Sequence, residues 1–311
     1  MATTGGVHDH EQDTRNADVL VWVNGELTPR GEAVVSVFDS GFVLGDGVWE
    51  GLRIHHGHPA FLERHLDRLF EGAQALMLDI GMSREELTRA VYDTLDANGM
   101  TDGVHLRLMV TRGVKSTPYQ DPRVTVGPAT VVLIAEHKDP LPEVVENGIT
   151  LFTTHVRRAT PDTLDPKLNA HSKLNDITAC IQAYTAGADE ALMLDPHGFV
   201  ATCNSTHFFI VTREGEVWTS DGRFCLGGIT RGNILQVCRD HDIPARETTF
   251  SLTDVYSASE AFVTGTYAGV VPVCSVDGRT IGSGRRGPMV ERLQGLYAGH
   301  IAADVEGRSR P

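Results

Sequence analysis

Two periods of hydrophobic residues predict helices and strands in the first part of the chain. Apolar residues at helical spacing predict a helix over Phe61–Met77. A second helix is predicted from Ser83, where Glu86 completes a capping box, to about Gly99. Short apolar runs predict strands over Val19–Val23, Ala33–Phe38, Leu52–His55, Val104–Thr111 and Thr130–Ala135. Strands combined with two consecutive helices indicate an α+β domain.

The second part of the chain is predicted to be rich in strands, with helices inserted between them. Strands are predicted over Ile149–Thr154, Glu190–Leu194, Phe208–Thr212, Ala261–Thr264 and Val270–Val273. Helices are predicted over Leu174–Ala186, from near Thr230, and from Pro288. The first of these helices has one apolar face, formed by Leu174, Ile177, Ile181 and Tyr184. In the last helix, inward positions are predicted for Val290, Leu293 and Tyr297.

These elements divide the chain of 311 residues into four parts, a length that suits two domains. Residues 1–17 are predicted to be a disordered tail, and residues 18–136 an N-terminal α+β domain. The charged segment 137–148, which contains two prolines, is predicted to be a linker. Residues 149–305 form the predicted C-terminal β-rich domain.

The composition of the chain indicates which kinds of partner and which cellular compartment to expect. The net charge of −14 disfavours nucleic acid, because an acidic surface repels a phosphodiester backbone. No apolar run is long enough to span a membrane, and the polar first residues are not expected to be a signal peptide. Five cysteines without a Cys-x-x-Cys pair indicate free thiols in a reducing cytoplasm, and no metal site is expected.

One segment has the pattern of an anion-binding turn. Glycines run directly into a predicted helix start at Gly228-Ile229-Thr230. The first amide groups of a helix are unpaired and partly positive, and the Thr230 hydroxyl adds a further donor. The strand end at Thr264-Gly265-Thr266 offers more hydroxyls. Taken alone, each segment is better explained as an ordinary turn or strand end.

The chain also resembles the class IV, or fold-type IV, aminotransferases, the group of branched-chain and D-amino acid aminotransferases and aminodeoxychorismate lyases. The motifs follow the order of that family and lie in Asp39–Phe42, Gly45–Arg53, His65–Leu69, Arg107–Gly113, Gly187–Asp195, Gly228–Arg231 and Thr264–Thr266. The resemblance implies an N-terminal α/β sandwich, a C-terminal β-rich pseudo-barrel and a homodimer. It implies pyridoxal 5′-phosphate (PLP) as cofactor and an amino or 2-oxo acid as substrate.

The resemblance also assigns residues to the cofactor's phosphate. Arg68, Ile229, Thr230 and Thr266 stand at the family's phosphate-binding positions, with Gly228 and Gly265 beside them. One cation, two helix-terminal amides and a hydroxyl would satisfy a dianion. The phosphate site is therefore expected to be complete.

Two positions depart from the family's pattern. Asn169 stands where the family has the lysine that forms a Schiff base with PLP, and Lys173 and Lys167 flank it. Three alternatives follow: a neighbouring lysine takes over, PLP binds without a covalent bond, or PLP chemistry is lost. Lys173 is the favoured substitute, because it lies one helical turn further on and has a long side chain.

The second departure is Thr202, which replaces a glutamate that pairs with the cofactor's pyridine nitrogen in the family. A hydroxyl stabilises a protonated ring less than a carboxylate does, so a weaker electron sink is expected. His207 and His171 are candidate proton carriers, since imidazole titrates near neutral pH.

The substrate side is predicted in the first domain. Arg53, Arg107 and Arg112 are candidates to bind a substrate carboxylate, and Trp49 to line the pocket. Three functional hypotheses follow from the motifs and the two departures. They are a PLP-dependent aminotransferase, a lyase or cofactor-independent enzyme on the same scaffold, and a non-catalytic protein that binds PLP or another anion.

Overall fold

The computed structural model of the protein describes residues 6–308 and residue 310, and these residues form two compact units. The N-terminal unit comprises Glu11–Asp139, Leu168–Lys173 and the chain from Ile301 onwards. The C-terminal unit comprises the chain up to His10, Pro140–Lys167 and Leu174–His300. The short segment Leu168–Lys173 thus belongs to the N-terminal unit, whereas the chain on either side of it belongs to the C-terminal unit.

The N-terminal unit contains an antiparallel sheet of six strands. Its strands are β1 Leu20–Val23, β2 Glu26–Pro29, β3 Gly47–His55, β4 His58–Pro59, β5 Val104–Thr111 and β6 Thr130–His137. Their order in the sheet is β2-β1-β6-β5-β3-β4. The helices are α1 Ser40–Leu44, α2 Leu62–Ala75 and α3 Arg84–Ala97, and the capping box of Ser83 and Glu86 is present at the start of α3.

The alternation of side chains along β5 separates the core from a second, polar face. Leu106 and Leu108 are fully buried in a core that α2 and α3 cover. His105 and Arg107 therefore project from the opposite face of the sheet. On the neighbouring strand β3, Gly51 lies directly opposite Arg107.

The C-terminal unit contains a mixed sheet of nine strands. The strands are β7 Ile149–Thr153, β8 Glu190–Leu194, β9 Val200–Cys203, β10 His207–Val211, β11 Val217–Thr219, β12 Ala245–Glu247, β13 Glu260–Gly265, β14 Gly269–Val276 and β15 Arg279–Thr280. The main path is β12-β11-β10-β13-β14-β7-β8-β9, and β15 pairs with β14. The helices are α4 Pro142–Asn147, α5 Pro161–Leu164, α6 Leu174–Thr185, α7 Ile229–Asp240, α8 Leu252–Ser257 and α9 Pro288–Val305, whose last residues belong to the other unit.

The predicted strand Ala33–Phe38 is wrong, because this segment contains no strand and Val34 is 78% exposed. The hairpin partner of β1 is β2, which follows immediately after the turn at Asn24-Gly25 and pairs with the whole of β1. The apolar run that follows is left without a neighbouring strand to pair with.

Two segments that were predicted to lack structure contain some. Within the predicted tail, Val7 is buried and Thr14–Asp18 forms a 3₁₀ helix; residues 1–5 lie outside the described part of the chain. Asn16 exchanges two hydrogen bonds with the backbone of His137, each 2.8 Å long, which fixes the segment at the end of β6. The predicted linker contains α4 and also the boundary between the two units.

The apolar face of α6 does not pack into a core. An apolar face at this spacing normally packs against the interior. Here the buried residues of the helix are Ala179 and Ala183, on the other side. The exposed residues are Leu174 at 75%, Ile177 at 51%, Ile181 at 58% and Tyr184 at 79%.

Candidate functional site

In the C-terminal unit, the turn before α7 has the backbone geometry of an anion site. Gly228 is the N-cap of α7 and, being glycine, provides no side chain to cap the first amides. The buried hydroxyl of Thr230 lies in the first turn, 3.5 Å from the hydroxyl of Tyr297. The amides and this hydroxyl together favour a bound anion.

His207 holds this turn in place. Its Nε2 donates to the carbonyl of Leu226 at 2.8 Å, and its imidazole lies directly against Gly228. A Cβ built on Gly228 would lie 2.3 Å from Cε1 of His207, so only glycine fits beside this ring. The structure thus gives His207 a structural contact, and its role as a proton carrier stays a prediction.

Thr264 is a site residue that sequence reasoning named only as part of a motif. It lies directly opposite His207 in the pairing of β10 with β13, so the two side chains lie on the same face of the sheet. Thr264 is fully buried, yet its hydroxyl has no hydrogen-bond partner among the described residues. A buried hydroxyl without a partner is unfavourable unless a ligand supplies one. Beyond it, Gly265 and Thr266 are half-buried.

Thr202 is buried on β9, and its hydroxyl donates to the carbonyl of Thr206 at 2.8 Å. The single proton of the hydroxyl is therefore used within the protein, while the oxygen can still accept a hydrogen bond. The predicted contact of Thr202 with a pyridine ring stays a prediction.

A buried acid on β8, Glu190, was not identified as a site residue from the sequence. Its Oε1 accepts hydrogen bonds from the amide of Ser205 at 3.0 Å, the hydroxyl of Ser205 at 2.7 Å and the hydroxyl of Thr206 at 2.9 Å. Its Oε2 is buried without a partner among the described residues. Burial raises the pKa of Glu190 despite these hydrogen bonds.

In the N-terminal unit, Arg68 forms a bidentate ion pair with Glu50, through Nε and Nη2 at 2.7 Å each. Glu50 is fully buried and also contacts Nδ1 of His65 at 2.6 Å. Burial would raise the pKa of Glu50, but the hydrogen bonds from His65 and Arg68 outweigh it and lower the pKa. The charged Glu50 therefore fixes the guanidinium of Arg68 at a defined place on α2.

The segment Leu168–Lys173 lies along β3. Asn169 is buried, and its Nδ2 donates to the carbonyl of Trp49 at 2.6 Å. Nζ of Lys173 donates to Oδ1 of Asn169 at 3.4 Å and lies 5.7 Å from the centre of the Trp49 ring. The amine of Lys173 thus lies beside Asn169, although residues 169–173 are not helical, whereas Lys167 is exposed. A role of Lys173 in place of the family's lysine stays a prediction.

His171 continues the contact with β3. Its Nε2 donates to the carbonyl of Val48 at 3.0 Å, and its backbone amide donates to the carbonyl of Gly47 at 2.9 Å. Burial lowers the pKa of His171, so the neutral ring is favoured. The geometry describes a structural anchor, and a proton-carrying role for His171 stays a prediction.

The three candidate substrate arginines differ in their contacts. Arg53 binds the carbonyl of Lys138 and the carboxylate of Asp139. Arg112 binds Asp46 through Nε at 2.7 Å and Nη2 at 3.1 Å, and it also caps the carbonyls of Leu76 and Met77 after α2.

Arg107 has no hydrogen bond or ion pair with any described residue. Its guanidinium lies over Trp49, with 4.1 Å between Cζ and the ring centre. Of the three arginines, Arg107 is the one whose donors are not occupied by a protein acceptor. A substrate role for each of the three arginines stays a prediction.

The family model described as amino-transferase class IV matches residues 47–276, about three quarters of the chain. The chain belongs to the class IV aminotransferase family. The matched range includes Trp49, Arg68, Asn169, Thr202 and the turn before α7. The resemblance that the sequence motifs indicated is confirmed.

Individual members of the family agree with this assignment. Branched-chain-amino-acid aminotransferase-like protein 2 of Arabidopsis thaliana is 42% identical over 282 residues, which are 91% of this chain and 50% of that protein. This chain therefore spans about half the length of that relative. A putative branched-chain-amino-acid aminotransferase of Methanocaldococcus jannaschii is 38% identical over 88% of this chain and 93% of its own length.

The fold-type IV architecture is confirmed by solved structures. The branched-chain amino acid aminotransferase of Escherichia coli has a TM-score of 0.86 and 27% identity, and the match covers 94% of this chain and 97% of that one. Within the described residues, all five cysteines are free. No helix in the described part of the chain is long and apolar enough to cross a membrane.

Proposed function

We propose that the protein is a PLP-dependent enzyme of the aminotransferase type that acts on an amino acid or a 2-oxo acid. Membership of the class IV family supports the reaction class. The observation that carries the proposal is the turn before α7, which is held by His207. Thr264, opposite His207 in the sheet, has a buried hydroxyl without a hydrogen-bond partner among the described residues. A similar solved structure, the T.th. branched-chain amino acid aminotransferase, contains pyridoxamine 5′-phosphate.

The residues present fit the phosphate of PLP. In the C-terminal unit, the amides of Ile229 and Thr230 and the Thr230 hydroxyl would bind phosphate oxygens. Thr266 and the buried Thr264 would supply further hydroxyls, and Thr264 would gain the partner it lacks. The family resemblance assigns the cation for the phosphate to Arg68 of the N-terminal unit, whose guanidinium Glu50 holds in a fixed orientation.

When bound, PLP supplies an aldehyde carbon that amines attack and a ring that withdraws electrons. Lys173 would supply the protein's own amine, in place of the lysine that Asn169 replaces. Thr202 would face the ring nitrogen as a hydrogen-bond acceptor, because its proton is already donated to Thr206. His207 and His171 would carry protons through Nδ1, because Nε2 of each ring already donates to a carbonyl.

The substrate's carboxylate would bind to Arg107. Arg107 has its donors available and is oriented by stacking on Trp49. A carboxylate matches the planar fork of a guanidinium with two parallel hydrogen bonds. Trp49 would then form one wall of the substrate site.

A homodimer in the cytoplasm completes the proposal. The exposed apolar face of α6, Leu174, Ile177, Ile181 and Tyr184, supports an interface, since soluble monomers rarely expose such a contiguous face. A molar mass of one chain in light scattering would refute the dimer. The five free cysteines support a reducing compartment.

A lyase-type reaction on the same cofactor is a second candidate, and the environment of Thr202 favours it. With no carboxylate at this position, the pyridine ring withdraws electrons less strongly. This favours a reaction that needs less electron withdrawal than full transamination. Turnover with a panel of amino donors and 2-oxo acids separates the two candidates, since only an aminotransferase exchanges the amino group.

Titration of the purified protein with PLP tests the proposal itself. We expect an absorbance band of bound PLP. Inorganic phosphate should displace PLP and remove the band, because the phosphate group supplies much of the affinity of the protein for PLP. No spectral change and no binding of PLP at any concentration would overturn the proposed function.

A further inference from the structure

We infer that Asn169 is a positioning residue that holds the amine of Lys173 beside Trp49 and keeps it available for reaction with an aldehyde. The inference rests on the proposed function, because it assigns a role towards PLP. It explains why a buried amide, which cannot itself react with the cofactor, lies next to the candidate amine. The two residues and Trp49 form one hydrogen-bonded group.

Asn169 is joined to Trp49 by two hydrogen bonds. The amide of Trp49 donates to the carbonyl of Asn169 at 3.0 Å, and Nδ2 of Asn169 donates to the carbonyl of Trp49 at 2.6 Å. Asn169 is only 6% exposed, so both bonds are shielded from water. Both its backbone and its side chain are therefore fixed relative to Trp49.

This pairing determines which atom faces Lys173. A carbonyl can only accept, so the nitrogen of the Asn169 carboxamide must be the atom that faces Trp49. The oxygen then faces the other way, where Nζ of Lys173 lies 3.4 Å from it. The same amine lies over the Trp49 ring. Asn169 thus offers the amine an acceptor of defined position.

The segment around this group is anchored at His171 and at Ser172. His171 makes two hydrogen bonds to β3. At the C-cap of α1, a Cβ on Gly45 would lie 3.3 Å from Cα of Ser172, so the two backbones are in close contact. Lys173 therefore extends from a fixed backbone, and both Asn169 and Trp49 contact its side-chain amine.

The neutral amide suits an amine that must react. Attack of the Lys173 amine on the aldehyde carbon of PLP forms a carbon–nitrogen double bond and releases the aldehyde oxygen as water. The attacking nitrogen must be uncharged, with its electron pair available. An amide oxygen accepts an N–H from the amine but carries no charge. A carboxylate in its place would form an ion pair and favour the unreactive ammonium form.

The experiment measures the rate at which borohydride traps PLP on Lys173, read by peptide mapping, together with the dissociation constant of PLP and the unfolding temperature. The variants are Asn169→Ala and Asn169→Asp. Asn175→Ala is the matched control, because Nδ2 of Asn175 also donates to a backbone carbonyl, that of Arg157 at 2.9 Å.

We expect trapping at Lys173 to fall at least about tenfold in Asn169→Ala, a change of about 1.4 kcal/mol in the barrier. In Asn169→Asp the rate should fall at neutral pH and recover as the pH rises and the ammonium loses its proton. Asn175→Ala should trap at the wild-type rate. The pH profile separates positioning from a general loss of structure, which would not recover at high pH.

Two results would overturn the inference. If wild type is labelled at Lys173 and both Asn169 variants are labelled at the same rate, Asn169 does not position the amine, although the proposed function stands. If wild type binds PLP but is labelled at another lysine or at none, Lys173 is not the amine. Failure of wild type to bind PLP at all would instead refute the proposed function.

Discussion

The imidazole of His207 lies against the α-carbon of Gly228, closer than any side chain at that position would allow. The same ring donates to the carbonyl of Leu226. One side chain thus contacts the turn before α7 at two residues, Leu226 and Gly228. The turn is thus held in place by a residue on β10 in addition to its own hydrogen bond, in which the amide of Gly228 donates to the carbonyl of Leu226 at 2.8 Å. This relationship is the structural basis of the anion site that we assign to PLP.

Gly228→Ala should weaken the binding of PLP and of inorganic phosphate at least about tenfold, or about 1.4 kcal/mol. The added Cβ would force the His207 ring away and release its hydrogen bond to Leu226. Gly227→Ala is the control, because a Cβ there would meet no atom within 4 Å. Isothermal titration calorimetry with each ligand measures the effect.

The double variant Gly228→Ala/His207→Ala extends this prediction. Because the two residues are in contact, their effects should not be additive, and the double variant should bind no more weakly than His207→Ala alone. Wild-type affinity in Gly228→Ala would contradict the assignment of this turn to the phosphate.

Thr264→Val should leave the free energy of unfolding unchanged or raise it, while weakening PLP binding severalfold. The hydroxyl that valine removes is buried without a hydrogen-bond partner among the described residues, so its loss should not destabilise the fold. Thr219→Val is the matched control: its buried hydroxyl donates to the carbonyl of Phe208 at 2.9 Å. Its loss should cost about 1–3 kcal/mol.

Chemical denaturation and PLP titration of both threonine variants check this prediction. If Thr264→Val destabilised the protein as much as Thr219→Val, the Thr264 hydroxyl would have a structural partner. The argument for a ligand beside it would then fail.

Arg107→Ala should affect substrate binding, whereas Arg112→Ala should affect stability. Removal of Arg107 should raise the KM for a carboxylate substrate about tenfold to a hundredfold, at about 1.4 kcal/mol per factor of ten, with little change in stability. Removal of Arg112 leaves Asp46 and two carbonyls without their partner. It should destabilise the protein by about 1–3 kcal/mol.

Steady-state kinetics and denaturation, measured on both arginine variants, separate the two roles. An unchanged KM in Arg107→Ala would exclude it from the substrate site. A raised KM with normal stability in Arg112→Ala would assign the carboxylate to Arg112 instead.

Glu190→Gln should change how stability depends on pH. The pKa of Glu190 is raised above 4.5 in the folded protein, so the folded state binds the proton more tightly than the unfolded state. The stabilisation is therefore complete below pH 4.5 and is lost as the pH rises through the folded pKa. Glutamine cannot ionise, so this loss should disappear and the variant should exceed wild type in stability at neutral pH.

Glu216→Gln provides the control of opposite sign. A hydrogen bond from Trp218 lowers the pKa of Glu216, so its contribution is present above pH 4.5 and is lost as the pH falls. Both predictions are checked by measuring the free energy of unfolding of each variant and of wild type as a function of pH. A Glu190→Gln variant less stable than wild type at neutral pH would show that the buried carboxylate is favourable.

Local sequence patterns predicted much of the fold, because the period of the side chains reflects local geometry. The bounds of β5 and β8 were predicted correctly, and α7 begins within one residue of its predicted start. The predicted strand over Ala33–Phe38 was wrong because a strand needs a neighbour to pair with, and β2 already pairs with β1. The apolar face of α6 shows that periodicity identifies a face but not what covers it.

The candidate site was predicted as a set of residues, but their contacts depend on the fold. Arg107 could not be separated from Arg53 and Arg112 by sequence patterns, because the carboxylates that bind the latter two are distant along the chain. The partners of His207 and Thr264 likewise follow from the register of β10 and β13. The unpartnered Oε2 of Glu190 is visible only once burial is known.

Borohydride reduction of the wild-type protein with PLP, followed by peptide mapping, tests the central claim most directly. The account predicts a phosphopyridoxyl label on Lys173, beside Asn169 and Trp49. A label on a different lysine, or PLP bound without any labelled lysine, would contradict it.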